Sequence, residues 1–113
     1  MNLIEQRTEE LIAAILESEP YQRYLSARNK LQQDPEKLEK TKELRKRNFE
    51  LQEKDSGGVF SPEMETFSYE MEVSRRDEDI DEYFGAELHM CRILQGIFKD
   101  VVNHVDLDLD FLD

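Results

Sequence analysis

Residues Ile80–Val105 read IDEYFGAELHMCRILQGIFKDVVNHV and hold the strongest periodic signal in the chain. Phe84, Leu88, Cys91, Gln95, Phe98, Val102 and Val105 recur in alternating steps of four and three, which places them on one helix face. A second row, Tyr83, Met90, Leu94, Ile97 and Val101, lies beside it. One row suits a two-helix seam, whereas two adjacent rows suit a helix touched on two sides. The stretch predicts a long last helix that forms the spine of a helical bundle. On this reading Cys91 is a small thiol buried in the seam.

Upstream, the three prolines act as punctuation. Each sits one or two residues after a capping side chain, in Ser18-Glu19-Pro20, Asp34-Pro35 and Ser61-Pro62. A cap followed by proline in the first turn starts a helix. Ser61-Pro62 opens a fourth helix to about Arg76, with Met64, Phe67 and Met71 on one side. The acidic cluster Asp77-Glu78-Asp79 then suits the positive end of the last helix. Asp34-Pro35 opens a third helix to about Lys54, roughly 30 Å long. Its only large apolar residues are Leu38, Leu44, Phe49 and Leu51, so much of its surface should face water. The second helix begins near Pro20 with the stripe Tyr21, Tyr24, Leu25, Arg28 and Leu31. The first runs from about Asn2 to Glu17, with Ile4, Leu11, Ile12, Ile15 and Leu16 on its apolar face. Asp55-Ser56-Gly57-Gly58 reads as the clearest loop. No strand pattern of comparable length exists. The expected class is all-α, with about five helices in an elongated, dimeric bundle and long third and last helices. Residues 1–105 should form a single helical domain, and 106–113 an acidic C-terminal tail.

The 113 residues suffice for one domain. Hydrophobic residues make up 38% and charged residues 37%, with a mean hydropathy of −0.76. No apolar run approaches the ~20 residues of a membrane span, and the N-terminus lacks a signal-peptide pattern. A cytoplasmic protein is expected. The net charge of −12 is unevenly placed. Residues 1–54 hold 11 basic and 11 acidic side chains, whereas residues 55–113 hold 4 basic and 16 acidic. Direct nucleic-acid binding is therefore not expected. The acidic half could instead cover a basic nucleic-acid-binding surface of a partner protein, using Asp77, Asp79 and Asp81.

No catalytic constellation can be assembled, and the protein is read as a non-enzyme. His89 and His104 stand 15 residues apart on the last helix, roughly 22 Å along its axis, and cannot share a metal within one chain. Gly57-Gly58 lacks the spacing and lysine of a nucleotide loop. Asp106, Asp108 and Asp110 lack the glycine and closing glutamate of a calcium loop. The basic patch Lys37, Lys40, Lys42, Arg45, Lys46 and Arg47 is interleaved with Glu36, Glu39, Glu43 and Glu50 and reads as a solvated, ion-paired face. The tail alternates acid and apolar residues. Extended, it would set Leu107, Leu109 and Phe111 on one side and, together with Leu112, could dock into a partner's groove.

The order of motifs resembles the YlbF/YmcA family of small bacterial helical proteins. The resemblance rests on Glu10-Leu11-Ile12, Leu16-Glu17-Ser18-Glu19-Pro20-Tyr21, Tyr24, Ala27, Leu31 and Gln33-Asp34-Pro35-Glu36. It continues through Phe49-Glu50-Leu51-Gln52, Ile80-Asp81-Glu82-Tyr83-Phe84 and Leu94-Gln95-Gly96-Ile97. It implies a non-enzymatic adaptor or regulator of competence, sporulation, biofilm formation and RNA processing. It further implies homodimers, assemblies with related helical proteins and a link to a ribonuclease-containing complex. Some members carry C-terminal cysteines that take part in iron–sulfur binding. Here Cys91 is the single cysteine and the chain ends in Asp106–Asp113, so no cofactor is expected. From the residues themselves, apolar faces exceed what a thin bundle can cover. Met64, Phe67, Met71, Phe84, Leu88, Phe98 and Val102 are the candidate oligomer or partner interface.

Overall fold

A computed structural model describes residues 2–54 and 61–105. The proposed loop at 55–58 and the docking residues Leu107, Leu109, Phe111 and Leu112 lie outside the described residues. Five helices follow one another: α1 (Leu3–Glu17), α2 (Glu19–Gln32), α3 (Pro35–Lys54), α4 (Pro62–Ser74) and α5 (Glu78–His104). Among the described residues there is no strand.

Side-chain caps set these boundaries. The Asn2 side chain accepts from the Glu5 N–H at 2.9 Å and starts α1. Ser18 ends α1 by donating its N–H to Ile15 and starts α2 by accepting from the Tyr21 N–H. A single residue therefore turns the chain between two helices. Asp34 accepts from the N–H groups of Glu36 and Lys37 ahead of α3, and Ser61 accepts from Met64 ahead of α4. Asp77 accepts from Asp79 and Ile80 at 2.9 and 3.2 Å and starts α5. Each cap satisfies donors that a helix N-terminus otherwise leaves unpaired.

The core sits where α2 meets the first half of α5. Ala27 and Leu31 of α2 pack with Ile80, Tyr83 and Ala86 of α5, and Tyr24, Leu38 and Phe84 close around them. Ala27 and Ala86 lack bulk, so the two backbones approach closely. The Tyr83 ring lies 5.8 Å from both Tyr24 and Phe84, centroid to centroid. Burial pushes the Tyr83 hydroxyl up from its ordinary pKa, so it stays a neutral donor, and it donates to Glu87 at 3.1 Å. On α3, Leu44 and Thr41 are buried, and Thr41 returns its hydroxyl to the Lys37 carbonyl at 2.8 Å. Phe67 of α4 is buried beneath the Arg47 guanidinium, 5.5 Å from the ring. The molecule is flat and elongated, 47 × 37 × 19 Å. Its radius of gyration, 17.6 Å, exceeds the roughly 13 Å of a compact domain of this length.

Ion pairs join the helices. Lys37 reaches Asp77 at 2.9 Å and Asp79 at 3.1 Å, and Arg45 reaches Glu87 at 3.2 Å. Lys37 to Arg45 and Asp79 to Glu87 are equal steps, so α3 and α5 run in the same direction, bridged by these long side chains. Arg23 holds Glu82 at 2.6 Å, Arg47 holds Glu70, and Arg75 holds Asp81 at 2.7 Å. Of the basic face of α3, Lys37, Arg45 and Arg47 are ion-paired, mainly across helices, whereas Lys40, Lys42 and Lys46 have no salt bridge among the described residues. Four-residue spacing along α3 allows Glu36–Lys40 and Glu43–Arg47; Glu43–Arg47 forms at 3.9 Å, and Glu36–Lys40 is not among the ion pairs of the described residues. Lys37 holds the Asp77 carboxyl below its ordinary pKa, aided by the N–H groups of Ile80 and Asp79. Arg47 does the same for Glu70, and Arg23 for Glu82. Hydrogen bonds to Asp77, then Asp79, raise Lys37 in turn.

Two predictions follow from this packing. Leu44→Ala is expected to lower stability by about 3 kcal/mol, the cost of a buried Leu truncation. Phe49→Ala, on the same helix but largely exposed, should cost about 0.5 kcal/mol or less. Urea unfolding that gave equal losses would contradict this core. Asp77→Asn keeps a competent cap and removes the charge. A carboxyl depressed in the folded state takes up its proton first in the unfolded chain. The wild-type advantage over Asp77→Asn should therefore be full near neutral pH and shrink as the pH falls below about 4. An advantage unchanged between pH 7 and pH 2 would show that the charge is not its source.

Candidate interaction surface

Neither apolar row of α5 is covered as a whole: in the row Tyr83, Met90, Leu94, Ile97 and Val101, Tyr83 and Met90 are buried and Ile97 half-buried, but Leu94 and Val101 are exposed. Ile80, Tyr83 and Met90 are buried against the rest of the chain, and Ile93 and Ile97 continue that side half-buried. The other row holds Leu88, Cys91, Gln95 and Phe98, all exposed, between half-buried Phe84 and Val102. The reason is length and sidedness. α2 has 14 residues, about 21 Å, whereas α5 has 27, about 40 Å. α2 covers one side of the first half of α5. The far half carries Leu94, Phe98, Val101 and Val105 with half or more of their surface in solvent, or nearly so.

The expectation of a buried Cys91 is corrected by this placement. Its thiol is exposed, because the row on which it lies is the uncovered one. An iron–sulfur cluster usually takes four cysteine ligands. A lone cysteine on an open helix face does not fit one. Among the described residues no group of three or more His, Cys, Asp or Glu could hold a metal. His89 and His104 are both exposed on α5.

The first helix forms the second half of the surface. No residue of α1 is buried. Leu3, Ile4, Leu11, Ile12 and Leu16 are all exposed, Ile4 to 78%. α1 leans on α2, and of its apolar face only Ile15 is half-buried. Its polar flank is acidic: Glu5, Glu9, Glu10 and Glu17 stand against Arg7 alone. The far half of α5 is mildly basic, with Arg92 and Lys99 against Asp100.

The seven residues selected from sequence do not form one surface. Phe67 is buried against α3, so its ring is part of this chain's own packing. Met64 and Met71 are half-buried on the same helix. Phe84 packs on the core. Leu88, Phe98 and Val102 remain together on the outer row of α5. The apolar residues of α1 were legible as a stripe, but nothing in sequence showed that no other element covers them. The acidic residues at the start of α5 are similarly committed, since Asp77, Asp79 and Asp81 each hold a cation of this chain.

The sequence pattern of the family described as control of competence regulator ComK, YlbF/YmcA, matches residues 4–106. The chain belongs to the YlbF/YmcA family. A UPF0342 protein of Caldicellulosiruptor bescii is 26% identical over 99 residues, covering 86% of this chain and 83% of that protein. A UPF0342 protein of Symbiobacterium thermophilum is 29% identical over 103 residues, covering 89% and 92%. No solved structure gives a significant match. The YlbF/YmcA match runs through both α1 and the far half of α5, so the uncovered faces lie within the family region. Among the described residues no helix is long and apolar enough to cross a membrane.

Proposed function

We propose that this protein is a non-enzymatic adaptor that assembles through the apolar faces of α1 and the far half of α5, first as a homodimer. The observation that supports this reading is that Leu3, Ile4, Leu11, Ile12 and Leu16 of α1, and Leu88, Leu94, Phe98 and Val101 of α5, are all exposed. Contiguous exposed apolar surface of this extent usually marks an interaction site. The two faces also match each other. α1 spans 15 residues, about 22 Å, and Leu88–His104 spans a similar length. The acidic flank of α1 suits the mildly basic flank of α5. A two-fold axis that lays α1 of each copy on α5 of the other would cover both stripes twice, which is the self-complementary pattern of a dimer.

The family description supports a regulatory role. A regulator of this build acts by presenting helix faces and by exchanging a like partner for an unlike one. Related helical proteins carrying matching stripes are the natural alternatives to a second copy, and a ribonuclease-containing complex is a further partner implied by the family.

Light scattering is expected to find a dimer at about 10 μM or above. Ile12→Glu and Phe98→Glu should each give a monomer whose helical circular dichroism is retained, because neither side chain is part of the core. A wild-type protein that stays monomeric at tens of micromolar would overturn the homodimer.

A further inference from the structure

A second feature lies apart from these apolar faces. Between α2, α3 and α5 is a cleft of about 260 Å³ lined by Arg28, Lys42 and Arg45 together with Tyr24 and Tyr83, over the side chain of Leu31. Three cations from two helices meet there, and no carboxylate lines the cleft. In a chain with 27 acidic side chains and a net charge of −12, this is a local reversal of sign.

The cations are unequally satisfied. Arg45 has Glu87 at 3.2 Å on the rim. Arg28 and Lys42 have no ion-pair partner among the described residues. The Arg28 guanidinium lies over the Tyr24 ring, 5.6 Å from its centroid, and its Nε is buried without a hydrogen-bond partner. A buried donor on a charged group is costly to leave unpaired, and folded proteins rarely keep one without a reason.

We infer that this cleft binds a small anion bearing phosphate or carboxylate groups. The planar guanidinium of Arg28 suits two oxygens of one such group, and Lys42 adds a compact charge at the mouth. The aromatic wall and the Leu31 floor accept a short apolar body. The net charge of −12 repels extended polyanions at long range. Binding therefore depends on short-range contacts, which selects a small, densely charged ligand over a nucleic acid. The site is independent of the homodimer, because none of its residues belongs to the uncovered stripes.

The test is a titration of the full chain at fixed ionic strength with inorganic pyrophosphate and, separately, citrate, followed through the arginine side-chain N–H signals by NMR. Saturable shifts at Arg28 and Arg45 are expected for at least one probe, with a Kd of about 1 mM or tighter. The responding probe tells phosphate from carboxylate chemistry. Arg28→Gln should weaken binding by about tenfold or more, whereas Lys99→Gln, a cation outside the cleft, should leave it unchanged. If Arg28→Gln loses helical circular dichroism, the exposed Lys42→Gln takes its place in the comparison. No saturation by about 10 mM of either probe, or equal weakening by Lys99→Gln, would overturn the proposal.

Discussion

The contact of α2 with the first half of α5 is the constraint on which the rest of this structure depends. Ala27 and Ala86 let the helices approach, and Leu31, Ile80 and Tyr83 fill the space around them. Because α2 is about half as long as α5, this seam can bury only one row of the longer helix, over part of its length. Everything uncovered on α5 follows from that mismatch. The same seam leaves α1 outside: the turn at Ser18 ends α1 before it can share the core, and none of its residues is buried.

Electrostatics then fix how the remaining helices stand against the seam. Single surface ion pairs contribute little. Here they are arranged in register: Lys37 with Asp77 and Asp79, and Arg45 with Glu87, tie α3 to α5. Arg47 and Glu70 join α3 to α4, and Arg23 and Glu82 join α2 to α5. In each case a cation from the charge-balanced first half meets a carboxylate from the acidic second half. Much of the acidity at the start of α5 is thus part of the fold. It is poorly available as a surface that imitates nucleic acid.

The result is a division of labour across the molecule. The small core and the ion pairs knit α2, the first half of α5, α3 and α4 together. α1 and the far half of α5 expose apolar residues instead. The cationic cleft lies on the knit side, next to the core tyrosines. A ligand there would sit beside Tyr24 and Tyr83 and so against the α2–α5 seam, and would touch none of the exposed apolar residues of α1.

Most of the secondary structure was legible in the sequence, because it depends on local chemistry. Asn2, Ser18, Asp34, Ser61 and Asp77 cap donors within a few residues of themselves, and the prolines cannot continue a preceding helix. The apolar stripes of α1, α2 and α5 follow from 3.6-residue periodicity alone. What the sequence could not show is which stripe finds a partner. The row through Phe84, Leu88, Cys91 and Phe98 has the cleaner spacing, yet it is Tyr83 and Met90 of the other row, together with Ile80, that are buried, while Leu94 and Val101 of that row stay exposed. That choice belongs to tertiary structure, since it depends on the length and position of α2. Phe67 and Phe98 illustrate the same limit: one ring is buried on α3 and the other faces solvent. The cleft was equally hidden, because Arg28, Lys42, Arg45 and Tyr83 come from three helices. Periodicity determined the helices and their faces; only packing decided which faces are covered, since burial depends on neighbours that are distant in the chain.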